Sequence, residues 1–191
     1  MLLQRLITVA TLLVAAAQPN YGPGYGTDLS GRPITTLAPA GTSIIVLIFL
    51  ATDCPISNRY LPEIQRLHQQ FAAQKVAFWE VYPNTTETPT LVRDHALAFH
   101  DTLPIFLDPA QRTTSLTHAN TTPQAAILST ENGTLKTLYL GRIDNRYITI
   151  DTARPHATRH DLEDAITGTL THRPIHPPSG PAIGCSIIGP Q

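Results

Sequence analysis

Apolar positions along this chain follow two alternating rhythms. Residues 43–50 (SIIVLIFL) form an unbroken apolar, β-branched run of strand length, the pattern of a central strand buried on both faces. After Pro55 the spacing changes: Leu61, Ile64, Leu67 and Phe71 recur three or four residues apart, with Glu63, Gln65, Arg66 and Gln69 on the other side. This predicts an amphipathic helix. Pro55 suits its first turn, where the missing N–H has no partner to lose, and Pro62 predicts a kink inside it. Residues 76–81 and 104–107 read as strands, 91–99 as a second helix and 111–120 as a short one. Residues 124–128 and 135–140 read as two strands either side of Glu131-Asn132-Gly133, a strong hairpin signal. A last helix is expected over 161–170, with Leu162, Ala165, Ile166 and Leu170 on one face and Asp161 at its positive end. The alternation of strand and helix predicts an α/β fold.

Both ends depart from these rhythms. Arg5 precedes an apolar run over residues 6–17 that ends in Ala15-Ala16-Ala17, the pattern of a cleavable secretory signal. A permanent membrane anchor is the alternative, but twelve residues fall short of the roughly 20 that span a bilayer. Residues 18–26, rich in Gly, Pro and Tyr, read as a linker, and the fold is expected to begin near Thr27. The expected division is signal 1–17, linker 18–26, one domain over 27–172, and a Pro/Gly-rich tail over 173–191 with no periodicity.

Composition narrows the chemistry. Thirteen Lys and Arg against fourteen Asp and Glu give a net charge of -1, which leaves no excess to neutralise a nucleic-acid backbone. The eight histidines show no spacing typical of a metal site, and no metal is expected. Only two cysteines occur, Cys54 and Cys185, so one disulfide is the maximum. Export would place them where disulfides persist, in a periplasmic or secreted location.

The stretch Phe49-Leu50-Ala51-Thr52-Asp53-Cys54-Pro55-Ile56-Ser57-Asn58, then Pro62, then Thr122-Pro123 ahead of the hairpin, resembles the redoxin branch of the thioredoxin-like superfamily. That branch includes the alkyl hydroperoxide reductase / thiol-specific antioxidant family. The resemblance covers about residues 27–170 and implies a three-layer sandwich, a mixed central sheet flanked by helices. It implies a reactive cysteine at a helix N-terminus, a helix-kinking proline eight positions on, and a cis-proline after Thr facing the cysteine. It further implies a protein thiol or disulfide, or a small peroxide, as reaction partner, without a cofactor. Three signatures of the family's activities are missing. Ser57 replaces the second cysteine of Cys-x-x-Cys, Asn58 that of Cys-x-x-x-Cys, and Ala51 and Ile48 replace the hydroxyl and proline of the peroxide-binding motif, with Thr52 out of register.

Cys54, at the start of a helix, would meet unpaired N–H groups and a dipole that favour the thiolate, while Asp53 opposes it, so the direction of its pKa shift is open. The segment from Leu170 to Cys185, extended at about 3.3 Å per residue, reaches roughly 50 Å and does not prevent the two cysteines from meeting. A bond between them would close a long loop, with a chain-entropy contribution of about 4 to 5 kcal/mol. Catalytic and structural roles for that bond are evenly matched. Thr122 and Pro123 are expected to present backbone to an extended substrate, against the plainer reading of a loop proline. Arg142, in the arginine-bearing segment 141–147, is a candidate for holding a thiolate or anion, against the plainer reading of a solvated loop. Two functions stand at this point. One is an exported thiol oxidoreductase with Cys54 as nucleophile and Cys185 as resolving thiol. The other is a binding module in which the pair is a structural disulfide.

Overall fold

The computed structural model describes residues 24–131, 134–178 and 180–189. In chain order its elements are β1 (Gly26–Thr27), β2 (Pro33–Ile34), β3 (Ile44–Phe49), α1 (Pro55–Phe71), β4 (Val76–Tyr82), α2 (Pro89–Ala98), β5 (Ile105–Leu107), α3 (Arg112–Thr117), β6 (Thr121–Thr122), β7 (Gln124–Glu131), β8 (Thr134–Gly141), β9 (Tyr147–Thr149), β10 (Thr152–Ala153), α4 (Asp161–Leu170) and β11 (Cys185–Ser186). The expected signal, most of the expected linker and the Asn132-Gly133 turn lie outside the described residues. Among those residues no helix is long and apolar enough to cross a membrane.

All six residues of β3 are buried, as an apolar run with no polar face requires. β3 lies between β4, which it pairs in parallel, and β7, which it pairs antiparallel, in a seven-stranded mixed sheet of order β2-β1-β5-β4-β3-β7-β8. Alternation along β3 divides the core. Ile44, Val46, Ile48 and Leu50 pack with Leu61, Ile64 and Leu67 of α1 and with Leu162 and Ile166 of α4, while Ile45, Leu47 and Phe49 face Leu37, Phe106 and Ala119.

The helix after Cys54 buries the stripe its spacing predicts, Leu61, Ile64, Leu67 and Phe71, together with Ile56, Ser57 and Tyr60 near its start. Pro55 occupies its first turn, and the helix runs on through Pro62 as one element. The expected hairpin is present as β7 and β8, paired antiparallel from Ala125↔Gly141 to Glu131↔Thr134.

Four short pairings carry no signal in the sequence. β1 joins β5 through Thr27↔Leu107 and β2 through Gly26↔Ile34, extending the sheet at the point where the fold was expected to begin. β9 and β10 form a small hairpin beyond the arginine-bearing segment. The proline-rich tail is irregular for most of its length but contributes β11, which pairs antiparallel with β6 through Cys185↔Thr122 and Ser186↔Thr121. Strands of two residues are too short for alternation to show, and they form because tertiary packing supplies the edge.

Ile64 is fully buried between α1 and the sheet. Ile64→Ala is expected to lower the unfolding free energy by about 2–5 kcal/mol in urea titrations. A loss below about 1 kcal/mol would show that the contact between helix and sheet does not rest on this stripe.

Candidate functional site

The site forms where β3 ends. Leu50 still donates to Val81 O (2.9 Å), after which Ala51 to Asp53 turn the chain into α1, with Cys54 N donating to Ala51 O (3.2 Å). Cys54 is the residue capping α1, in extended conformation (φ -88°, ψ 109°). Glu87, in the loop after β4, holds the turn. Its carboxylate accepts from Thr52 N (2.8 Å) and Thr52 Oγ1 (2.9 Å), and Thr52 O accepts from Asn58 Nδ2 (3.2 Å). Asn58 Oδ1 lies 2.8 Å from His95 Nε2 of α2. Burial pushes the pKa of His95 down, so its ring is neutral at pH 7.

Cys54 is fully buried, and its Sγ donates to Thr122 O at 3.1 Å. The Thr122-Pro123 peptide bond is cis. The loop carrying it is tied by Gln124, whose Oε1 accepts from Asn120 N (2.9 Å) and Thr121 N (3.3 Å). Cys185 is half-buried beside it, with its Sγ 2.6 Å from that of Cys54, both as free thiols. The strand pair β6 and β11 makes this meeting, since it sets Cys185 opposite Thr122.

The two thiols are electrostatically unlike. Burial alone would raise the pKa of Cys54. The Cys185 S–H, which donates to its sulfur, and the nearby amide and hydroxyl of Ser57 favour the charged form and outweigh burial, so the pKa falls below the ordinary thiol value. Ser57 Oγ is buried and makes no hydrogen bond among the described residues, which leaves its hydroxyl free to turn toward a charged sulfur. Burial pushes Cys185 the other way, to about 12, reinforced by its bond to Cys54, by the charge of Cys54 and by Asp53. Cys54 is therefore the more acidic of the two thiols, and Cys185 the one that holds its proton more strongly. The direction that the sequence left open is downward for Cys54.

The remaining candidates fall in different places. Thr122 and Pro123 stand at the sulfurs. Thr52 is adjacent, but its hydroxyl already donates to Glu87. Arg142 lines a small cleft with Pro123, Tyr147, Pro181 and Ile183, and its Nε pairs with Asp161 at the start of α4 (2.8 Å). Beside the N-terminus of α1, a cavity of about 350 Å³ is lined by Pro55, Ile56, Arg59, Tyr147, Ile150, Asp151 and Ala153. Glu87, Ser57, Asn58 and His95 were not anticipated as functional partners of Cys54. A weak pointer to Glu87 existed, because loops at the carboxyl ends of parallel strands converge. Elsewhere Glu63, His160 and Glu163 bring possible ligand atoms within 4.8 Å of one another, but Arg66 already bridges both carboxylates, at 2.6 and 2.5 Å.

A cysteine at a helix N-terminus facing a cis Thr-Pro bond at the edge of a mixed sheet is the arrangement that the sequence resemblance implied. Residues 24–141 match the AhpC/TSA family. The chain belongs to this family. Its fold is accordingly thioredoxin-like, of the redoxin branch. No curated protein matches the sequence. Among solved structures, an uncharacterised conserved protein from Geobacillus kaustophilus is similar at 21% identity, covering 87% of this chain and 88% of its own, with a TM-score of 0.66. A hypothetical protein from Sinorhizobium meliloti is similar at 20% identity, covering 87% and 94%, with a TM-score of 0.62. At these identities the likeness concerns the fold alone.

Because the Cys185 S–H donates to Cys54, Cys185→Ala, which leaves no donor there, is expected to shift the thiolate titration of Cys54, followed by ultraviolet absorbance, to higher pH. Ser57→Ala should move it in the same direction. An unchanged or lower inflection in both variants would remove these donors as the cause.

Proposed function

We propose that this AhpC/TSA-family protein is an exported thiol oxidoreductase that exchanges disulfides through Cys54, with Cys185 as the resolving thiol. The observation that carries the reading is the meeting of two unlike free thiols at 2.6 Å, the fully buried Cys54 the more acidic and the half-buried Cys185 the less. The apolar run over residues 6–17 after Arg5 supports export to a periplasmic or extracellular space.

In the first step the Cys54 thiolate attacks one sulfur of a substrate disulfide. A bond forms between Cys54 Sγ and that sulfur, and the other substrate sulfur leaves as a thiolate. Cys54 is then neutral, so part of the upward push on Cys185 disappears. Cys185 gives its proton to the substrate thiolate already released and attacks Cys54 Sγ, closing the Cys54–Cys185 bond and releasing the second substrate thiolate. The substrate is reduced by two electrons and the protein oxidised by two. A dithiol donor runs the same exchange in reverse and restores both thiols.

Thr122 and Pro123 supply the backbone against which substrate lies, and Thr122 O orients the Cys54 sulfur. Thr52 acts through Glu87 as part of the turn that aims Cys54, and Arg142 holds the start of α4 against the cleft beside Pro123. Small peroxides are weaker candidates than disulfides. Ala51 offers no hydroxyl where the family's peroxide-binding motif has one, and the hydroxyl of Thr52 is engaged.

Turnover with a protein disulfide and a dithiol donor tests the assignment. Cys54→Ser is expected to abolish it, and Cys185→Ser to accumulate a mixed disulfide on Cys54, visible as a mass adduct. Full activity in both variants would overturn the proposal. A matched drop in thermal stability, with no thiol-dependent turnover in the wild type, would identify the pair as a structural bond instead.

A further inference from the structure

The residues that receive β11 read its main chain. Thr122 pairs with Cys185 and Thr121 with Ser186; Ile187 N donates to Asn120 O (3.0 Å), and Ile188 N donates to Asn84 Oδ1 (3.0 Å). Gln111 Nε2 donates to Ile188 O at 2.5 Å, and Thr122 Oγ1 to Cys185 O at 3.4 Å. Three side-chain positions of the tail are constrained. Cys185 meets Cys54, Ile183 packs on the core cluster beside Pro123, and Gly184 lies so close to the loop that a Cβ there would stand 2.0 Å from Thr122 O. No other side chain fits at that position without moving backbone.

Cys54 is fully buried beneath this segment, so a substrate sulfur reaches it only when the segment leaves. Whatever replaces it finds the same main-chain bonds on offer and the same lack of room before the cysteine. Building on the exchange chemistry proposed above, we infer that the β6 edge, with Asn84, Gln111 and Asn120, is a docking strip for an extended partner segment. That segment carries an aliphatic residue, then glycine, directly before its reactive cysteine. β11 is this chain's own version of it, which the partner displaces and which returns to bring Cys185 back for resolution.

The probe is an octapeptide of the tail sequence, Pro-Ala-Ile-Gly-Cys-Ser-Ile-Ile, its cysteine activated as a disulfide with thionitrobenzoate. Reduced full-length protein carrying Cys185→Ser is used so that the product stays on Cys54. Cys54 attacks the peptide sulfur, the bond to peptide forms, and thionitrobenzoate leaves as a coloured thiolate, with mass confirming which sulfur was taken. A peptide with alanine in place of that glycine is expected to react about tenfold more slowly. Adding Gly184→Ala to the protein unseats the tail and is expected to speed the glycine peptide by about fivefold or more. Equal rates for the two peptides would overturn the docking strip, and that comparison stands even if the Gly184→Ala protein fails to fold. A rate unchanged in a folded Gly184→Ala protein would overturn the displacement. Activated cysteine without a peptide separates the two levels of the proposal. If it reacts with Cys54 while the peptides show no glycine preference, only the docking strip fails. If it does not react, the assignment of Cys54 as nucleophile fails as well.

Discussion

Everything at the site depends on a strand that has no face to offer to water. Ile44 to Phe49 are buried on both sides, so β3 must sit inside the sheet with helices and loops packed over it. A strand held that tightly delivers its last residue to a defined point, and the chain then has five residues, Leu50 to Cys54, in which to turn into α1. Cys54 is therefore placed by the core, with burial at the helix start as a consequence. The loops after β3 and β4 and the loop before β7 all end at this edge of the sheet, which brings Glu87 to Thr52 and Thr122 to Cys54.

Burial by itself would make Cys54 a poor thiolate. What reverses this is local: the Ser57 amide and hydroxyl in the first turn of α1, and a second thiol brought in from the far end of the chain. The same proximity acts on Cys185 with the opposite sign, because a group beside a negative sulfur and away from water keeps its proton. Two chemically identical side chains thus acquire different acidities from their positions, a difference that suits a nucleophile and a resolving thiol.

The tail has two effects at once. It supplies the donor that favours the thiolate, and it covers the sulfur from solvent. Its attachment is a short strand with a glycine at the point of closest approach, flanked by main-chain bonds to Asn84 and Gln111. Contacts of this kind are individually modest, and a segment of matching backbone shape can compete for them.

Long, strongly patterned elements were legible in the sequence. The run over 43–50 identified the central strand, the spacing from Leu61 to Phe71 the helix that carries the cysteine, and the period over 161–170 the last helix, because each buries enough apolar surface for its pattern to dominate. Cys54 at the head of α1 and Pro123 after Thr122 were legible through motif spacing. Glu87, His95 and the engagement of Arg142 with Asp161 were not, since each depends on which loops share an end of the sheet. The downward shift at Cys54 was hidden for a related reason: Asp53 is its neighbour in sequence, whereas the donors that decide the matter include Cys185, 131 residues away. By itself the sequence determined the fold, the position of the first thiol and the count of possible partners. Only the tertiary structure decided that the second thiol meets the first, because two-residue pairings such as β6 with β11 have no period to read and form where the rest of the molecule presents an edge.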